Sequence, residues 1–135
     1  SGTQIDMLAT LVGGLIGTLG RYWINLVFTA RFGEAMPWGT IFINITGSFV
    51  IGLFAALTET GGRWPVPPEI RAFMLVGLCG GYTTFSSFSL QTLALIQTGE
   101  LGRALANILL SVTAGVLAVW IGFSAPEALA RLFRS

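Results

Sequence analysis

Residues Gly77-Leu-Cys-Gly-Gly-Tyr-Thr-Thr-Phe-Ser-Ser-Phe88 set glycines, five hydroxyl side chains and two phenylalanines three positions apart in an otherwise apolar stretch without a charge. Unsatisfied backbone groups cost several kcal/mol in lipid, so a glycine-broken span is tolerated only where the freed groups face protein, water or an ion. Such a segment can replace part of an ion's water shell, and it reads as a permeation or ion-binding site. The break is expected near Gly80 to Thr83.

Phe85 and Phe88 project from neighbouring parts of one helical face. The ordinary reading of such a pair is lipid contact or core filling. An aromatic ring also has a positive edge, which a desolvated anion can approach without being trapped by a full charge. Beyond the break follow Ser86, Ser87, Ser89, Gln91 and Thr92, and Asn107, Ser111 and Gly115 share one face of a later apolar segment, with Thr113 off that line. Serine in a membrane helix commonly bonds back to its own helix. Taken together, the two segments would line a path of neutral donors.

Thr40, Asn44, Gly47 and Ser48 recur at helical spacing and share a face. The glycine suits close helix packing, whereas an amide in mid-membrane serves either packing or an anion. Gly13 and Gly17 form a GxxxG pair whose usual meaning is helix contact. Arg21, about two helical turns before the end of its segment, would be costly unless it pairs, snorkels or meets a watery vestibule. None of the spans offers it a buried carboxylate.

These residues must be positioned by membrane helices. Of 135 residues, 53% are hydrophobic and 10% charged, with 18 glycines and neither lysine nor histidine; the mean hydropathy is +0.79. A soluble domain of this size could not hide so much apolar surface. At about 20 apolar residues per span, four helices are expected, at about 7–28, 38–57, 72–96 and 104–123, making one all-α integral membrane domain over 1–135. The connections are short and rich in proline and glycine, and the segment from Pro126 to Arg134 resembles a short interfacial helix. The single Cys79 excludes an intrachain disulfide. The near-neutral charge balance gives no sign of a nucleic-acid surface, and no soluble partner is implied.

Arginines in short loops set orientation. The side carrying the N-terminus has Arg63, Arg71, Arg131 and Arg134, and the other has Arg31 and Arg103. So small a bias fits either chance in a chain of few charges or insertion in both directions as an antiparallel pair. Proton-coupled exchange of the small multidrug type requires a titratable carboxylate inside the membrane. Asp6 stands at the start of the first span and the other acids fall in connections or at the end, so that reading is disfavoured. A non-transporting assembly subunit is a second alternative. Without histidine, a metal-ligand cluster or a nucleophile–base pair, an enzyme is not expected.

The segments Gly17-Thr-Leu-Gly-Arg21-Tyr22, Trp38-Gly-Thr-Ile-Phe-Ile-Asn44-Ile-Thr-Gly-Ser-Phe49 and Gly77 to Phe88 resemble the Fluc (CrcB) fluoride channels of bacteria over essentially the whole chain. The third-span motif is the specific one. The resemblance implies an antiparallel, dual-topology homodimer in the bacterial cytoplasmic (inner) membrane, with two fluoride pores and a structural sodium ion at its centre. It also implies passive, selective export of fluoride. Carried over by position, the phenylalanine box falls on Phe85 and Phe88, the pore asparagine on Asn44, and the sodium ligands on the main-chain carbonyls of Gly80 and Thr83. The hydroxyl track falls on Ser111 and Thr113; Thr40 and Ser87 are likewise assigned to the fluoride pore, and Arg21 is a vestibule charge or structural anchor. Where relatives can carry a tyrosine at the head of the track, this chain has Asn107.

Overall fold

A computed structural model describes residues 2–59 and 61–134, and every regular element in it is helical. In chain order these are α1 (Gly2–Phe32), α2 (Trp38–Thr58), α3 (Pro68–Ala72), a π-helical segment (Phe73–Cys79), α4 (Gly80–Tyr82), α5 (Phe85–Gln97) and α6 (Leu101–Arg134). Pro68–Gln97 acts as one interrupted span, which together with α1, α2 and α6 gives four helices long and apolar enough to cross a membrane. Only 11 to 28% of each apolar window is buried within the chain. The remaining apolar surface suits lipid or protein rather than water.

Helix ends explain the hairpins. After α5 the Gly99 N–H donates to Ile96 O at 3.1 Å and the Glu100 N–H to Leu95 O at 2.8 Å, with Gly99 at φ +80°. That is a Schellman closure, which only a glycine accommodates cheaply at this left-handed position. It turns the chain straight into α6, so α5 and α6 run back past each other.

The GxxxG pair of α1 packs against the interrupted span. Gly13 and Gly17 lie against the backbone around Phe73, Leu78 and Tyr82, and a Cβ on Gly81 would stand 2.7 Å from Gly14 O. Backbone contact this close admits no side chain on either surface, in keeping with the packing reading of small residues in membrane helices.

Two features differ from expectation. The span boundaries extend outward, with α1 beginning at Gly2 and the third span at Pro68. Pro126 does not open a separate interfacial helix, because α6 continues through it to Arg134. A proline removes one helical hydrogen bond, here to Gly122, and membrane helices absorb that loss locally.

Candidate functional site: a cavity at the helix break

The interruption falls at Thr83 and Thr84. Thr83 has φ −82°, ψ 159° and Thr84 has φ −150°, ψ 115°, both extended, between helical Tyr82 and Phe85. Thr84 restarts the helix as its N-cap, its Oγ1 accepting the Ser87 N–H at 3.2 Å. Across the bundle, Asn44 on α2 clasps the same residue twice. Its Oδ1 accepts the Thr84 N–H at 2.7 Å, and its Nδ2 donates to Thr84 O at 2.9 Å. One amide thereby satisfies both backbone groups of a residue withdrawn from its helix.

These bonds fix which carbonyls are released. A continuous helix would give the Thr84 N–H to Gly80 O and the Ser87 N–H to Thr83 O. Here the first goes to Asn44 and the second to the Thr84 hydroxyl. The carbonyls of Gly80 and Thr83 thus lose their helical donors. Cys79 O, by contrast, accepts both the N–H and the hydroxyl of Thr83, each at 3.0 Å.

On the far side of the break Arg21 Nε donates to Gly81 O at 3.2 Å, and the Thr18 hydroxyl reaches the same oxygen at 3.5 Å. A guanidinium at the carbonyl end of a helical segment is stabilised by the local dipole. Arg21 does not line the cavity described next.

A cavity of about 360 Å³ opens beside the break, lined among others by Asn44, Ser48, Thr83, Phe85, Phe88 and Ser111. No charged side chain lines it. The Phe85 and Phe88 rings stand 5.7 Å apart and are tilted by 54°. Phe88 is half-buried, whereas Phe85 is 69% exposed on the surface of the chain.

A buried relay supports this wall. Ser111 Oγ donates to Asn107 Oδ1 at 3.2 Å, Asn107 Nδ2 to Thr92 Oγ1 at 2.9 Å, and Thr92 Oγ1 to Phe88 O at 2.7 Å. Asn107 is fully buried, so a polar group that lipid would punish is satisfied at both ends. Toward the other mouth of the bundle a cavity of about 530 Å³ is lined by Asn25, Thr29, Glu34, Gln91 and Arg103 among others. Gln91 Oε1 is buried there without a partner among the described residues.

Seven of the residues singled out from the sequence therefore meet at one cavity: Asn44, Gly47, Ser48, Thr83, Phe85, Phe88 and Ser111. Thr40 is buried in α2 away from it, Thr113 is exposed on another face of α6, and Ser87 contributes its N–H to the Thr84 cap. Gly80 is exposed on the surface of the chain. Sequence reasoning did not single out Thr84 as the residue that ends one helix and starts the next, although its hydroxyl three positions before Ser87 has N-cap spacing. Nor did it anticipate that Asn107 would join Ser111 to α5, a contact for which a single sequence carries no signal.

The family model described as "CrcB-like protein, Camphor Resistance (CrcB)" matches residues 8–123, which take in most or all of every span and the whole of the break. The chain belongs to the CrcB-like family. Among its CrcB-like relatives, a protein of Methylobacterium radiotolerans named fluoride-specific ion channel FluC is 52% identical over 115 residues, covering 85% of this chain and 80% of that one. Proteins of the same name from Methylocella silvestris and Rhodospirillum rubrum are 48% and 50% identical, covering 87% and 85% of this chain and 90% and 89% of theirs.

Proposed function

We propose that this CrcB-like protein is a passive, fluoride-selective channel that exports fluoride across the bacterial cytoplasmic membrane. The observation that carries the reading is the uncharged cavity at the broken helix, lined by an amide, hydroxyls and two aromatic rings. Relatives about half identical to this chain bear the name of a fluoride-specific channel. Fluoride is small and tightly hydrated, so a pore must supply close donors in place of water while holding the ion weakly enough to release it. A fixed cation inside the cavity would retain the ion, whereas Asn44, through the Nδ2 hydrogen that Thr84 O does not take, and the ring edges of Phe85 and Phe88 would donate without trapping it; Ser111 would first have to release its bond to Asn107 Oδ1. Ser48 lines the same cavity from α2, whereas Thr40, Ser87 and Thr113 stand outside its lining and are assigned no contact with the ion.

The working unit in this proposal is an antiparallel homodimer with two pores. Phe85 lines the cavity yet is exposed on the surface of the single chain, as expected where a second copy packs. A structural sodium ion fits the break. Its ligands would be the carbonyls of Gly80 and Thr83, which have surrendered their helical donors. Among the described residues no group of three or more acidic, histidine or cysteine side chains competes for a metal. Oxygen-only coordination suits a hard cation, and two copies of two carbonyls would supply four ligands about a two-fold axis. Bound there, the ion would add a fixed positive charge near the anion path and tie the subunits together. Soaking crystals with thallium(I) is expected to give an anomalous peak among these carbonyls; no peak would remove the cation from the proposal.

The deciding experiment is efflux from proteoliposomes followed with a fluoride electrode. Fluoride should leave rapidly and chloride should be retained, with no dependence on an imposed proton gradient. Proton-driven transport would favour the exchanger reading, which the sequence disfavours because Asp6 and the other acids sit near helix ends or in connections. Absence of flux would favour a non-transporting assembly role.

A further inference from the structure

A third cavity, of about 420 Å³, lies far from the break, between the end of α2, the turn that follows it and the last turns of α6. Its floor is apolar, with Leu53, Leu57 and Leu129, while Arg63 and Arg134 also line it and no acidic side chain does. Neither arginine forms an ion pair among the described residues, unlike Arg131, which meets Glu127 at 3.4 Å, and Arg103, which meets Glu100 at 3.9 Å. The turn that carries Arg63 is held in place. Gly61 adopts φ +88°, the Gly62 N–H donates to Glu59 O at 2.8 Å, and the Trp64 N–H donates to Leu57 O at 2.8 Å, folding the chain back over the end of α2.

Depth identifies the surroundings. α6 has 34 residues, about 51 Å at 1.5 Å per residue, against roughly 30 Å of hydrocarbon. Its final turns therefore reach the headgroup level, where Trp64, 65% exposed, occupies the position that tryptophan favours. Apolar side chains below, an interfacial indole and two unpaired guanidiniums above match one molecule: an acidic phospholipid.

We propose that this cavity binds an anionic phospholipid, its phosphate between Arg63 and Arg134 and one acyl chain along Leu53, Leu57 and Leu129. The charge complementarity is specific to the headgroup, because each guanidinium presents several donors to phosphate oxygens. The site lies apart from the cavity at the break, so it stands or falls independently of fluoride conduction.

Native mass spectrometry of the purified protein in detergent, titrated with dioleoyl phosphatidylglycerol or dioleoyl phosphatidylcholine, tests it. The wild type should retain phosphatidylglycerol preferentially. The Arg63→Gln/Arg134→Gln double variant should lose that retention by roughly tenfold or more, with phosphatidylcholine unchanged, while Arg131→Gln keeps the wild-type preference. Leu129→Gln should weaken retention of both lipids. Equal retention of the two lipids by the wild type would overturn the proposal, as would an unchanged double variant or an equal loss in Arg131→Gln. Displacement of phosphatidylglycerol by excess inorganic phosphate would show a simple anion site instead. A change of oligomeric state in the double variant would assign this face to subunit contact and likewise overturn it.

Discussion

Asn44→Asp is expected to abolish fluoride efflux from proteoliposomes. The amide performs two tasks at once. Its Oδ1 and Nδ2 hold the N–H and C=O of Thr84 at 2.7 and 2.9 Å, and it lines the cavity through which the anion is proposed to pass. An ionised aspartate still accepts the Thr84 N–H but cannot donate to Thr84 O, leaving a carbonyl without its partner at a cost of about 1–3 kcal/mol. It also places a negative charge beside the path. At 4 Å and an effective dielectric of about 20, repulsion between two unit charges is about 4 kcal/mol, roughly a thousandfold in rate. Residual flux should therefore fall to background. Asn44→Ala removes the clasp without adding charge, so the two variants separate positioning from electrostatics: a near-normal Asn44→Asp variant would take Asn44 out of the path altogether.

The number of spans was legible because apolar length and the exclusion of charge both follow from lipid. Each of the four segments was found, and the helices run past the expected spans because a helix continues beyond hydrocarbon into the interface, as α6 does through Pro126. The interruption of the third span was also legible, and Thr83 stands where it was expected, but the glycines before it do not break the helix. Gly80 and Gly81 are helical; Thr83 and Thr84 are extended. Gly81 is needed for its approach to Gly14 on α1, whereas the threonines part the helix by offering hydroxyls to Cys79 O and the Ser87 N–H. Glycine and threonine adjoin in the sequence, and nothing in their order separates packing from termination. The π-helical turn at Phe73–Cys79 left no trace either, since a shift in hydrogen-bond register demands no particular residue.

Site residues were legible in proportion to how local their partners are. The Phe85 and Phe88 pair follows from a spacing of three, and the two rings do stand together. Asn44 was ambiguous between packing and anion contact because its partner lies 40 residues away; it clasps the backbone and borders the cavity as well. Arg21 was equally ambiguous, and its bond to Gly81 O crosses 60 residues. Thr113, off the Asn107–Ser111 line, faces away from the cavity, as helical spacing alone would have placed it.

Phe85→Ile should eliminate fluoride flux with the protein still folded and its oligomeric state unchanged. The substitution retains an apolar side chain and removes the ring quadrupole, which is the feature proposed to meet the anion. Phe85 is 69% exposed in the single chain, so little burial within the chain is lost, and the size-exclusion profile reports separately on the subunit contact proposed to cover it. Unfolding is therefore a poor explanation for lost conduction. The ring pair at 5.7 Å would also be broken, which is why Phe88→Ile, with a half-buried ring backed by the Thr92 and Asn107 bonds to its turn, serves as the companion variant. If the rings act as anion contacts, both variants lose flux while thermal melting and size-exclusion profiles stay near wild type. If they only fill space, Phe85→Ile conducts normally and Phe88→Ile fails only to the extent that it melts earlier. That result would remove the aromatic edge from the mechanism and leave the amide and hydroxyls to carry the ion.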